Sequence, residues 1–405
     1  MPVADAAFVR TALVDLVLGD EAVVAAALRA LGDRGSWPEL VRLATQWRLI
    51  PQVREALARA GAPALELLRQ PSLVHAAESA VIVRQGAEAL RLLSDAGVRA
   101  VAIKGVAAIA TLYGASSRRM VSDVDLVIEE AQLAAARAAL EARGYSDVSP
   151  PFESHVAAIG FSRRLHNYAR TFVRDGVELD VHWQFGPRPP AALAAERIIE
   201  RSIVATVEGR ALRVAGPVEA ALLIVHHALR GSFAAYSTPK DLVDLGAWWA
   251  REGEASGAAL LREAAASGLG SSLLALARTI ERRNPAHPIA RRARDLEGLL
   301  PPAGLRESAR LETFVEQNLR GESPDNATVE LLAPAVFVRS IAGPVIHRFA
   351  RGLRASAEPP AEPRRPLAVR VANRLGRGLR IGRELLRWRR VATYRAVARA
   401  QSRFH

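Results

Sequence analysis

Residues Val121 to Ile128 carry two aspartates, Asp123 and Asp125, at alternate positions of an otherwise apolar run. Alternate side chains of a strand share a face, so the two carboxylates project together while Val124 and Leu126 enter a core. A second run, Val177 to Phe185, alternates strictly, with Glu178, Asp180, His182 and Gln184 on one face and Val177, Leu179, Val181, Trp183 and Phe185 on the other. A third carboxylate, Asp180, is thus available on a neighbouring strand. Such a set suits two-metal phosphoryl or nucleotidyl transfer, in which the ions sit about 3.5–4 Å apart and a carboxylate bridges them. Hard oxygen donors suit Mg²⁺, with Mn²⁺ as the alternative. Asp-x-Asp alone is common on surface strands. The apolar alternates, the Lys104-Gly105 turn upstream and the acid on a second strand give it weight.

The rest of the chain bounds what this pair can belong to. Half of the 405 residues are apolar, enough for two or three substantial cores. With no cysteine, disulfides and thiolate metal sites are excluded. The first residues carry acids where an export signal needs a basic start, and Glu219 breaks the most apolar stretch, Val214 to Leu229. The expectation is a cytoplasmic protein. The formal charge of +13 is local: from Arg364 onward 13 arginines face one acid, Glu384, which leaves the body near neutral. Of 55 basic residues only Lys104 and Lys240 are lysine. Where arginine serves elsewhere, a compact ammonium at these two places marks them as candidates for a specific contact.

In order, residues 1–95 read as a helical N-terminal region, with Ser36-x-x-Glu39 as a capping-box start. Residues 96–188 alternate strand and helix: strand Val98–Ile103, helix Val106–Tyr113, strand Val121–Ile128, helix Ala131–Arg143 ended by Gly144, an irregular loop at 149–164 over the site, and a hairpin turning at Asp175-Gly176. Residues 189–354 return to helix after a proline break at Pro187, with a short strand pair within Ile203–Val214. A Pro-containing linker from Ala355 and an arginine-rich tail complete the chain. The fold class is α+β: a small mixed sheet flanked by helical regions.

The combination Lys104-Gly105, Tyr113, Arg119, Ser122-Asp123-Val124-Asp125-Leu126 and Glu178-Leu179-Asp180-Val181-His182-Trp183 resembles the uncharacterised bacterial branch of the polymerase-β-like nucleotidyltransferase superfamily. The resemblance covers roughly residues 10–320. It implies that Asp123, Asp125 and Asp180 ligate two Mg²⁺ ions, that Gly105 opens the turn near an NTP triphosphate, and that a nucleoside monophosphate passes to an unidentified acceptor with release of pyrophosphate. The wider superfamily has Gly-Ser at the turn. Here Lys104 offers a point charge in place of the hydroxyl.

Other candidates carry two readings each. Arg119 binds a phosphate or acidic acceptor, or pairs with Asp123 or Asp180. Lys240 contacts nucleotide or acceptor, or forms an i,i+4 pair with Asp244. His182 ligates or positions an acceptor, or is a polar rim residue, the simplest account. Ser122, Glu178 and Asp244 are placed to support the ligands. His226 and His227 read as hydrogen-bonded core residues. The basic tail suits an anionic membrane surface, nucleic acid or a protein partner, or is a solvated extension. A reading of another class is a catalytically silent nucleotide-binding or regulatory protein on the same fold.

Overall fold

The computed structural model describes residues 3–149, 168–185, 189–230 and 238–320. Most of the loop at 149–164, the break at Pro187, any helix beyond residue 320, and the linker and basic tail lie outside these residues.

The chain opens with helices α1 (Val3–Leu18), α2 (Glu21–Asp33), α3 (Trp37–Gln46), α4 (Ile50–Arg59) and α5 (Arg69–Asp95). Asp20 caps α2 by accepting the Val23 amide at 2.9 Å. The capping box expected at Ser36 does not form. Helix α3 starts there, but the Ser36 side chain makes no cap bond, and Glu39 instead accepts from the Arg42 guanidinium one turn on. After α5 come β1 (Val101–Ile103), α6 (Lys104–Ala108), a π-helical turn at Ile109–Tyr113, β2 (Asp123–Val127), α7 (Leu133–Glu141), β3 (Ser146–Asp147), β4 (Ala169–Arg174) and β5 (Val177–His182). Then follow α8 (Ala195–Glu200), β6 (Ile203–Val207) and β7 (Arg210–Val214). The described residues end with α9 (Pro217–Arg230), α10 (Thr238–Arg251), α11 (Glu254–Ala266), α12 (Gly270–Glu281), α13 (Pro288–Leu299) and α14 (Pro302–Arg320).

The strands form one mixed seven-stranded sheet in the order β3-β4-β5-β2-β1-β7-β6. Strands β2 and β5 are parallel neighbours, and β1 is antiparallel to β2. Two tight turns set the hairpins: Asp175-Gly176 with φ of +52° and +75°, and Glu208-Gly209 with +50° and +74°. Positive φ at both central residues matches the right-handed twist of the flanking strands. The sheet reaches beyond residue 188, because β7 pairs in parallel with β1 at Ala102 and Val214. The strand pair at 203–214 therefore belongs to the same sheet as the aspartates.

Each face of the sheet has its own core. Val124, Leu126, Leu179 and Val181 pack with residues of α5, α6 and α7, including Val83, Leu93, Val106 and Leu140. Helix α5 comes close to β2 at Gly86, where an added Cβ would stand 3.3 Å from Val124 Cγ1. On the other side Val101, Ile103 and Val127 join a core built jointly by the N-terminal and C-terminal helices, from Val9 and Leu13 to Phe314 and Leu319. The Asp20 amide donates to the Arg283 carbonyl, and Arg283 pairs with both Asp15 and Glu316. The described helices before and after the sheet are thus one packed body. Among the described residues no helix is long and apolar enough to cross a membrane.

Candidate active site

Register places the acids. Parallel pairing of β2 with β5 sets Asp123 opposite Glu178, Asp125 opposite Asp180 and Val127 opposite His182. Asp125, Asp180 and His182 lie on the same face, and one ligand atom from each falls within 4.8 Å of the others. His182 Nε2 lies 2.9 Å from Asp125 Oδ1. His182 is buried rather than at the rim, because its ring stacks on Phe185 at 5.6 Å and Phe185 meets His226 edge-on. Alternation could not separate these cases; the aromatic packing from α9 decides it.

Lys104 brings a cation to the same point. Antiparallel pairing sets Ile103 opposite Asp125, and the next residue, Lys104, takes φ +52° as α6 begins. That conformation costs a residue with a Cβ about 1–2 kcal/mol. It carries Nζ to 2.5 Å from Asp125 Oδ1 and 3.5 Å from His182 Nε2. Gly105 is required by contact: an added Cβ would stand 2.8 Å from Val121 Cγ1 and 3.1 Å from Arg119 Nη1.

The electrostatics follow. Burial alone would raise the Asp125 carboxyl, but the Lys104 ammonium and His182 hold it well below the usual carboxylate range. Asp180 moves the other way: burial raises it and the nearby Asp125 charge adds to this, against the Thr171 hydroxyl, which donates to Oδ1 at 2.6 Å. Burial and the Lys104 charge keep His182 below its ordinary value, against the pull of Asp125. Two adjacent carboxylates driven apart in affinity for protons, beside an imidazole that favours its neutral form, are the makings of a cation site.

Residues 33–283 match the family described as uncharacterised nucleotidyltransferase. The chain belongs to that family. No curated protein matches the chain.

For a nucleotidyltransferase the donor set fits a divalent cation: two carboxylates and an imidazole, with His182 able to ligate or to orient Asp125 from behind. Asp123 stands apart. It is half-buried, accepts from the Ser122 hydroxyl at 2.9 Å, and does not join the close group, while Ser122 in turn accepts from the Arg48 guanidinium. Glu178 is exposed at the edge of the same face.

Arg119 pairs with neither Asp123 nor Asp180. It is buried and donates in bidentate fashion to Asp244, with Nε at 2.9 Å from Oδ1 and Nη2 at 2.6 Å from Oδ2, while Nη1 donates to the Met120 carbonyl. The Tyr113 hydroxyl, placed by the π-helical turn, donates to the same carboxylate at 2.8 Å. Asp244 therefore takes Arg119 rather than Lys240 as its ion-pair partner. Lys240 is lowered first by burial and then by the Arg119 charge, with Asp241, Asp244 and Arg48 also in electrostatic range. His227 pairs with Asp241 on the adjoining turn.

Two further residues of this nucleotidyltransferase touch the site, and they differ in how far the sequence signals them. Arg48 reaches the site from a helix junction in a left-handed conformation, φ +58°, and no local pattern signals that. Thr171 was within reach: the two-residue turn pairs Arg174 with Val177, and counting back sets Thr171 opposite Asp180.

Proposed function

We propose that this protein transfers a nucleoside monophosphate from an NTP to an acceptor hydroxyl or similar group in a Mg²⁺-dependent reaction that releases pyrophosphate. The observation that carries the reading is the in-register pair Asp125 and Asp180 on parallel strands with His182 within ligand distance, in a chain of a nucleotidyltransferase family. When bound, Mg²⁺ supplies charge stabilisation for the transferring phosphoryl group and lowers the pKa of the acceptor hydroxyl. Asp125 and Asp180 are the residues that would hold it. Lys104 and His182 favour the charged form of Asp125 against the effect of its burial. Thr171 fixes the Asp180 carboxylate through its hydroxyl. Arg119, committed to Asp244, acts by holding the Gly105 turn rather than by touching phosphate. Lys240, in electrostatic range of Arg48, and Arg48, which donates to Ser122, are the cations proposed to meet an anionic substrate.

Titration calorimetry of the full chain with each NTP, with and without Mg²⁺, tests the reading. Metal-dependent binding of at least one NTP, abolished in Asp125→Asn, is expected. Binding that ignores both metal and this substitution overturns it. Mass spectrometry of candidate acceptors incubated with labelled NTP then identifies the group modified.

A further inference from the structure

A two-ion site needs a carboxylate free to bridge, one oxygen to each ion. Asp125 lies between Ile103 on one neighbouring strand and Asp180 on the other, so it is the carboxylate that would bridge two ions. Its Oδ1 already faces both Lys104 Nζ and His182 Nε2. Asp123, the other carboxylate that a second ion would draw on, is held by the Ser122 hydroxyl and lies outside the close group of donors. Among the described residues the ligand atoms that converge are those of one cation site.

Resting on the nucleotidyltransferase reading, we propose that the Lys104 ammonium stands permanently in the place of a second metal ion, so that this enzyme works with a single divalent cation held by Asp125, Asp180 and His182.

Three independent features support a built-in cation at this point. The first is conformational: Lys104 is held at φ +52° at the first residue of α6, and strain of that kind persists where the surroundings demand it. Gly105 lets the turn press onto Val121 and Arg119, which fixes where the lysine backbone lies. The second is chemical. In a chain with 55 basic residues of which two are lysine, the position on Asp125 carries lysine. A compact ammonium presents a single point-like charge, whereas a planar guanidinium spreads its charge over a larger, flat group. The third is charge balance. Asp123, Asp125 and Asp180 supply three negative charges on this face, which one divalent ion and one ammonium neutralise; a second divalent ion would leave the site cationic before the triphosphate arrived. An ammonium also needs no recruitment from solution, at the cost of being unable to lower the pKa of a coordinated water.

Mn²⁺ binding to the full-length protein decides the matter, by calorimetry for stoichiometry and by electron paramagnetic resonance for coupling between close ions. Wild type is expected to bind one Mn²⁺ per chain, alone and with a non-hydrolysable NTP analogue, with no Mn²⁺–Mn²⁺ coupling. Lys104→Met, checked for folding by its thermal melt, is expected to bind a second Mn²⁺ with the analogue and, without it, to bind Mn²⁺ about tenfold more tightly than wild type, since the competing charge is gone. Two coupled Mn²⁺ ions in wild type with the analogue overturn the inference, and this needs no variant. If the analogue fails to bind, the nucleotide reading falls, and the metal-only comparison still decides this one: unchanged Mn²⁺ affinity in Lys104→Met overturns it.

Discussion

Arg119 and Asp244 stand 125 positions apart in the chain and meet in a buried bidentate ion pair, 2.9 and 2.6 Å at its two arms. One partner lies just before β2 and the other is on α10, so this pair ties the sheet that carries Asp125 and Asp180 to the C-terminal helices. Met120 and Tyr113 complete the partners of the guanidinium and the carboxylate.

Asp244→Asn leaves a buried guanidinium without its counter-charge, and its unfolding free energy in urea should fall by about 3–5 kcal/mol. The pH dependence has a definite sign. Burial by itself raises the Asp244 carboxyl, but Arg119 and then Lys240 and Tyr113 hold it lowered overall. A lowered folded pKa stabilises above the unfolded value of about 3.9 and ceases to do so as pH falls through the folded value. The gap between wild type and variant should be full at neutral pH and close in acid; a gap constant with pH would contradict the assignment.

Asp180 predicts the opposite. Its folded carboxyl is raised, by burial first and by Asp125. Ionising it therefore costs stability as pH rises through the unfolded value, and that cost is complete above the folded one. In the absence of divalent cations, Asp180→Asn should melt about 2 °C higher than wild type at pH 7. The advantage should vanish below about pH 3, where both forms of the side chain are neutral. The Asn carbonyl can still accept from Thr171, so no hydrogen bond is lost. A lower melting temperature at pH 7 would sink the idea that this acid is kept at the expense of stability.

Strand alternation made Asp125 and Asp180 readable in advance, because a period of two fixes which residues share a face and the Asp175-Gly176 turn fixes the register. What stayed hidden depends on contacts far apart in sequence. Asp244 four residues after Lys240 reads as a helical ion pair, and only the fold shows Arg119 taking that carboxylate. His182 reads as a rim residue until Phe185 and His226 close over it. The pairing of β7 with β1 rests on a single parallel bridge across more than a hundred residues, and no local pattern announces it. The left-handed backbone at Lys104 is likewise invisible in a residue type that rarely adopts it.

Gly105→Ala introduces a Cβ 2.8 Å from Val121 Cγ1 and 3.1 Å from Arg119 Nη1. Overpacking of this kind costs about 1–3 kcal/mol. Chemical denaturation should show that loss, and nucleotide transfer should fall with it because the displaced neighbours are the Arg119 anchor and the lead-in to β2. Wild-type stability in the variant would show that the turn yields freely.

Thr171→Val preserves shape and removes the hydroxyl that donates to Asp180 Oδ1. Losing a group that orients a ligating carboxylate should weaken Mn²⁺ binding about tenfold. Titration calorimetry reads this directly, and unchanged affinity would show that the Thr171 hydroxyl does not orient a ligand.

Helix α1 shares its core with α14, and Arg119 waits for a residue on α10. A ribosome making this chain therefore exposes the acidic face of β2 and β5 well before it delivers the helices that brace the Gly105 turn and close the second core. The nascent polypeptide carries its acidic face early and its framework late, so the site is braced only once α10 and the helices after it have been made.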